Sequence, residues 1–235
     1  MTTEESRPPY LIRAAVGFAL YLLLGPALLF IAAGTTAWPI AWVYVAVLLA
    51  ATLGSRLIVL KRNPETLRER ARFRSAEGTK AWDRILVMIV GLLGPMTMAA
   101  VAGLDHRWGW SAVVPRVGQI LAAVVVAAGY GLAVWGMVEN QYFSAVARIQ
   151  EDRGQEVVTT GPYRIVRHPS YAGTLLASLA FPFMVDAIWA LIPALGMVMA
   201  LVTRTALEDE MLRTELDGYQ SYAERTRYRL IPGVW

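Results

Sequence analysis

The chain has 235 residues, 56% hydrophobic and only 17% charged, with a mean hydropathy of +0.44. A soluble domain carries about 25% charged residues, so this composition points to a polytopic membrane protein. With no cysteine and two histidines, disulfides, cysteine nucleophiles, thiolate metal sites and His-rich metal cages are excluded, and no metal site is expected. The net charge of +4 is gathered in clusters; this suits loops facing anionic lipid and, with no soluble domain to present it, argues against nucleic acid.

The N-terminal MTTEESRPPY is partly acidic and has no small-residue cleavage site behind its first apolar run, which predicts a retained helix rather than a signal peptide. A bilayer core needs about 20 apolar residues per helix. Residues 11–33, 38–60, 85–104 and 117–138 each meet that length. Residues 172–203 are too long for one span and short for two. They contain Pro182 and Pro193 with Asp186 between them, so the segment reads as a hairpin of two short helices turning near Asp186. Non-helical backbone at that depth must be buried in protein or reach water.

The polar connections test this count. Residues 61–84 hold Lys61, Arg62, Arg68, Arg70, Arg72, Arg74, Lys80 and Arg84; residues 139–171 hold Arg148, Arg153, Arg164 and Arg167; residues 204–235 hold Arg204, Arg213, Arg225, Arg227 and Arg229. The opposite connections, 35–37 and 105–116, carry little charge. By the positive-inside rule the three basic segments and both termini are cytoplasmic. The fold class is therefore all-α: a polytopic membrane bundle of four long helices plus the hairpin, continuing into a cytoplasmic C-terminal helix to about Glu215. Gly218 reads as a stop signal, with a further turn at Tyr219–Tyr222. The chain reads as one domain, 1–138 its four-helix membrane part and 139–235 the part that carries chemistry.

That chemistry centres on TTGPYRIVRHPSYAG, residues 159–173. Gly161-Pro162 signals a turn, His168 precedes a proline and avoids the helical region, and Pro169 suits the first position of the next helix. The turn thus lies at a helix N-terminus, where free N–H groups and the dipole favour an anion. Arg204 and Glu208, four residues apart, share a helix face at the exit of the hairpin. The hairpin brings both clusters together. A third strip, RIQEDRGQEVVTTG, contributes Arg148, Gln150 and Gln155. Taken singly, these residues have plainer roles: Arg164 and Arg167 as interfacial anchors, Tyr163 and Tyr171 as aromatic-belt residues, Arg204 and Glu208 as a surface ion pair. Trp38, Trp42, Trp108 and Trp110 read as interfacial anchors, and Gly17, Gly25, Gly129 and Gly136 as close-packing positions.

VVTTGPYRIVRHPSYAG followed by RTALEDEMLRTELDGYQSYAERTRYRLIPGVW resembles the isoprenylcysteine carboxyl methyltransferase family of integral-membrane enzymes. The likeness covers residues 139–235 and consists of G-x-Y-x-x-x-R-H-P-x-Y-x-G, then R-x-x-x-E, then G-Y-x-x-Y. The stretch RNPETLRERARFRSAEGTKAWDRIL also resembles the corresponding loop of bacterial members. The resemblance implies S-adenosylmethionine as cofactor, contacted by Gln155, Glu156, Val157, Val158, Tyr163, His168, Pro169, Ser170, Tyr171 and Glu208. It implies Arg204 as the substrate-facing catalytic arginine, with Arg167 and His168 beside it. Where the family often has a histidine this chain has Gln155, and where it shows Glu-Glu this chain has Glu208-Asp209, with Glu210 a rival to Glu208. A lipophilic or prenylated acceptor would enter from the bilayer, and the bacterial likeness implies the plasma membrane.

Methyl transfer from a sulfonium is an in-line displacement served mainly by holding the reactants in place. A carboxylate acceptor is ionised at pH 7 and wants a positioned cation, which an arginine fork supplies. An amine or hydroxyl would want a base, for which His168 is the nearby candidate. Phospholipid N-methylation, an NADPH-dependent membrane reductase and a non-enzymatic membrane scaffold stand as the alternatives.

Overall fold

Four long apolar helices and a hairpin are what the computed structural model contains. It describes residues 9–71 and 78–235, and of residues 9–15, 67, 68 and 71 the backbone alone. Part of the basic stretch 61–84, including the side chains of Arg68, Arg72 and Arg74, lies outside the described residues.

Helix α1 (Pro9–Ala33) and α2 (Pro39–Arg62) form the first pair, and the short α3 (Pro64–Ala71) follows. The third span is α4 (Ala81–Met88), a π-helical turn (Ile89–Leu93) and α5 (Gly94–Trp108) in continuous succession. The π turn has a local cause. Pro95 lacks the N–H that would close on the Gly91 carbonyl, and the Gly94 N–H reaches back five residues to Ile89. Next come α6 (Arg116–Glu139), α7 (Pro169–Met184), α8 (Leu191–Glu215) and the terminal α9 (Tyr219–Arg225). Among the described residues, five stretches have the length and apolarity to cross a membrane: Val16–Ala33, Pro39–Arg62, Ala81–Trp108, Arg116–Glu139 and Ile188–Glu215.

The hairpin is less symmetric than expected. Helix α7 has 16 residues, but α8 has 25 and is long enough to span alone. Between them the chain turns at Asp186, whose φ of 58° is the left-handed conformation that Asp tolerates better than most residues. Every step of this turn has a polar partner. The Asp186 carboxylate accepts the Val114 N–H at 2.6 Å, Ser111 Oγ accepts the Ile188 N–H at 2.8 Å, and Asp105 accepts the Trp189 N–H at 3.0 Å. Asp105, almost fully buried, also accepts from the Ser111 N–H at 2.9 Å. Non-helical backbone is thus satisfied from the α5–α6 connection, as a site of low water content requires.

Lipid is as apolar as the helix surfaces, so shape fit rather than hydrophobic transfer must hold the helices together. The closest fit is α6 against α7. A Cβ on Gly129 would lie 2.6 Å from the Gly173 carbonyl oxygen, and one on Gly136 2.6 Å from Ser170 Oγ. Ser170 Oγ donates to the Ala133 carbonyl at 2.9 Å across the same seam. This crossing fixes the start of α7 against the end of α6. Gly17 and Gly25 do not work this way: nothing lies within 4 Å of a Cβ on Gly17, and only the Met96 methyl, at 3.4 Å, meets one on Gly25. Trp38 likewise is no surface anchor; it is buried and stacks on His106 at 3.9 Å, whereas Trp42, Trp108 and Trp110 are exposed.

The three basic segments meet at one end of the bundle. Thr66 on α3 donates to the Gln141 carbonyl at 2.7 Å, Lys80 pairs with Glu215 at 2.7 Å, and Asp83 on α4 pairs with Arg204 on α8 at 2.6 Å. Charge clustering along the sequence and convergence in space therefore agree.

Candidate functional site

The turn before α7 is built from its prolines and one glycine. Gly161 has φ of 54° and packs so tightly on Glu139 that a Cβ would lie 2.8 Å from its carboxyl carbon. A single 3-10 turn, Gly161–Arg164, follows, and Pro169 opens α7 behind His168. Tyr163 is buried, donating its hydroxyl to the Gly136 carbonyl at 3.2 Å, while its own carbonyl accepts the Tyr222 hydroxyl at 2.7 Å. Burial raises the Tyr163 phenol above its usual range.

The helix entrance differs from the open anion cradle expected of it. The Arg167 and His168 N–H groups donate to the Tyr228 and Arg229 carbonyls, both at 2.9 Å. The C-terminal tail has taken those amides. Nor is Arg167 an interfacial anchor. It is 3% exposed, and its guanidinium grips Asp209 through two bonds of 2.6 and 2.9 Å. Burial opposes its charge, but the Asp209 pairing outweighs that and raises its pKa. Arg164 does sit exposed at the surface.

Asp209 gathers this end of the molecule. Besides Arg167 it accepts Tyr219 Oη at 3.0 Å, Arg229 at 2.8 Å and Arg213 at 3.2 Å, and it lies 3.4 Å from His168 Nε2. One fully buried carboxylate thus ties the turn, α8, α9 and the tail together. In the linear sequence Asp209 stood only as the neighbour of Glu208, with no role of its own. The signal was there: an acid one residue from Glu208, four residues before Arg213, amid a strongly basic tail.

Arg204 and Glu208 do not pair with each other. Arg204 Nε and Nη2 bond to Asp83 at 2.6 and 3.3 Å, Nη2 also reaches the Ala145 carbonyl at 3.1 Å, and the guanidinium lies 5.2 Å from the Tyr171 ring centroid. Asp83 in turn accepts the Ala147 N–H at 2.6 Å, so it clamps the strip after α6 as well. Glu208 accepts the Tyr171 hydroxyl at 2.6 Å, while Glu210 is exposed. The His168 ring lies parallel to Tyr171 at 5.7 Å. Asp83, a lone acid at the head of an apolar helix, is a second functional residue that the linear sequence does not single out.

These elements line a single cleft that is partly open to solvent. Its walls include Gln155, Glu156, Val157, Val158, Tyr163, Arg167, His168, Pro169, Ser170, Tyr171 and Glu208, joined by Tyr142, Phe143 and Tyr222. Arg204 is not in the wall; it stands behind Tyr171 with its fork committed to Asp83. The Gln155 side chain accepts the Gln150 N–H at 2.7 Å, closing its own loop. Aromatic and aliphatic walls with one carboxylate at the hairpin suit a flat, partly polar ligand.

No curated protein matches the chain. The phospholipid methyltransferase family model matches residues 117–216, which run from the first turn of α6 through the strip, the turn and the hairpin. That stretch holds every wall residue named above except Tyr222. The part of this helical membrane protein that builds the cavity is therefore similar to integral-membrane methyltransferases, the superfamily that also contains the isoprenylcysteine carboxyl methyltransferases.

Proposed function

We propose that the protein is a membrane methyltransferase that moves a methyl group from S-adenosylmethionine to a lipophilic acceptor, with a carboxylate, as on a prenylated cysteine, the favoured group. One observation carries this reading: strip 155–158, the 161–171 turn and Glu208 wall a single cavity, and they lie within the segment matched by a methyltransferase family. The donor set fits the cofactor. Glu208 has one oxygen bonded to Tyr171 and one left for a ribose or ammonium donor, and the tyrosine-rich wall suits a purine face. When bound, the cofactor supplies an electrophilic methyl on sulfur.

The chain's own residues hold and shield. Glu208 holds polar groups of the cofactor, Tyr171 and His168 shape the wall beside it, and Arg167 with Asp209 fixes the turn. Arg204, braced by Asp83, directs positive charge past Tyr171 toward the acceptor and steadies a carboxylate there. Residues 139–235 carry this site and the active end is cytoplasmic, with residues 1–138 as its membrane scaffold. The family match favours a second reading, methylation of a phospholipid amine, for which His168 is the candidate base.

The test is transfer of a radiolabelled methyl group from S-adenosylmethionine by the purified protein, across prenylcysteine analogues and phosphatidylethanolamine, with binding of S-adenosylhomocysteine by calorimetry. Labelling of the prenylcysteine arm is expected. Labelling of the amine arm alone moves the assignment to the second reading. Binding of NADPH with no binding of S-adenosylhomocysteine overturns both.

A further inference from the structure

The short helix α3 is docked on the wall of the cavity. Thr66 bonds to the Gln141 carbonyl, Glu69 pairs with Arg148 at 2.8 Å, and the Arg70 guanidinium lies 5.2 Å over the ring of Phe143. Arg148 and Phe143 are both wall residues. Glu69 is thereby consumed. Arg70 is not: its Nε is buried with no hydrogen-bond partner. The charges of Arg56 on α2 and Arg204 on α8 also act on it electrostatically. Among the described residues Arg204 has Asp83, but neither Arg56 nor Arg70 forms an ion pair with an acid.

Arg70 is half-buried, and a partly desolvated cation without a counter-charge costs stability. Burial first, and then Arg56 and Arg204, pull the Arg70 pKa down to about 9. Such a site is completed by an anion. Among the described residues, the acids in contact with this group, Glu69, Asp83 and Glu208, are bonded to Arg148, Arg204 and Tyr171, which leaves Arg70 open to an anion from a ligand.

We propose that Arg70, stacked on the back of the wall residue Phe143, is an anion subsite beside the cavity that receives the phosphate or carboxylate of a membrane amphiphile. Only the identification of that amphiphile as the methyl acceptor rests on the function proposed above. Arg70's planar fork suits either oxyanion.

The experiment uses the full chain in detergent with three probes: N-acetyl-S-farnesylcysteine for the carboxylate, oleoyl lysophosphatidic acid for the phosphate and monoolein as the neutral control. Arg70→Met should weaken binding of one or both anionic probes about tenfold, the worth of one charge-assisted contact, and leave monoolein unchanged. Arg70→Lys should fall between, and Arg84→Gln, at an exposed arginine of the same end, should match the native protein. Whichever anionic probe is lost identifies the source of the oxyanion. Arg70→Met should also melt no lower than the native protein, because it removes an uncompensated charge; a purely structural arginine would lower melting temperature and binding of all probes together. If Arg70→Met and Arg70→Lys bind both anionic probes like the native protein, the subsite does not exist. Binding of S-adenosylhomocysteine, measured in parallel, keeps the questions apart: its absence from the native protein undoes the proposed methyl transfer, while the amphiphile measurements still decide the subsite.

Discussion

Tyr171, in the first turn of α7, gives its hydroxyl to Glu208 on α8 at 2.6 Å. The two arms of the hairpin are thus joined inside the cavity wall, and the single free oxygen of Glu208 becomes its most directed acceptor. Glu208→Gln keeps the shape and removes the charge. It should weaken S-adenosylhomocysteine at least tenfold, since hydrogen bonds to a charged group contribute about 1.5–3 kcal/mol. Glu210→Gln, on the exposed face, should leave affinity unchanged. Calorimetry on both variants checks this, and an affinity loss confined to Glu210→Gln would reverse the assignment.

Asp209 should matter to the fold more than any other acid. Replacing it with Asn leaves Arg167 buried against two carbonyls with no counter-charge. Breaking one partner of a buried pair costs about 3–5 kcal/mol, so Asp209→Asn should lower the melting temperature clearly. Arg167→Met combined with Asp209→Leu should recover part of the loss, which thermal unfolding of the three variants would show.

The Arg204–Asp83 pair predicts coupling. Asp83→Asn frees the Arg204 fork and unclamps the Ala147 amide; Arg204→Gln leaves Asp83 uncompensated. Each single change should reduce methyl transfer, and the double variant should be little worse than the poorer single one, because residues in one network do not add. Multiplicative losses in turnover would show that the two act separately.

Helix packing makes its own prediction. Gly129→Ala or Gly173→Ala forces α6 and α7 apart, because a Cβ on Gly129 would lie only 2.6 Å from the Gly173 oxygen. Overpacking of this kind costs about 1–3 kcal/mol. Gly17→Ala, with open space around it, should stay within about 0.5 kcal/mol of the native protein. Unfolding measurements in one detergent compare the three directly.

Alkaline pH should destabilise the site end. Burial raises the folded-state pKa of Tyr163 above that of a free phenol, about 10. Its contribution is complete below that value. As pH rises past it, the unfolded chain releases the proton first, and stability declines by up to about 1.4 kcal/mol per pH unit for this group. Tyr163→Phe should flatten the fall in melting temperature between pH 9 and 11. An equal slope in both proteins would place the alkaline transition elsewhere.

Much of the architecture could be read along the chain. Apolar length marked the spans, clustered arginines marked the ends that share a side, and Pro182, Asp186 and Pro169 marked where the hairpin turns and begins. The G-P-Y-R and R-H-P-S-Y-A-G stretches marked the residues that line the cavity. Hydropathy, charge and proline geometry are local properties, so sequence alone expresses them.

Which side chains answer one another was decided only by the folded chain. Arg204 is four residues from Glu208 yet pairs with Asp83, 121 positions away, and Arg167 reaches Asp209 across 42 positions. The α6–α7 seam and the returning tail bring these groups together, and the same tail closes the helix entrance that looked open. Pairing energy falls steeply with distance and depends on burial, and the linear order of residues specifies neither.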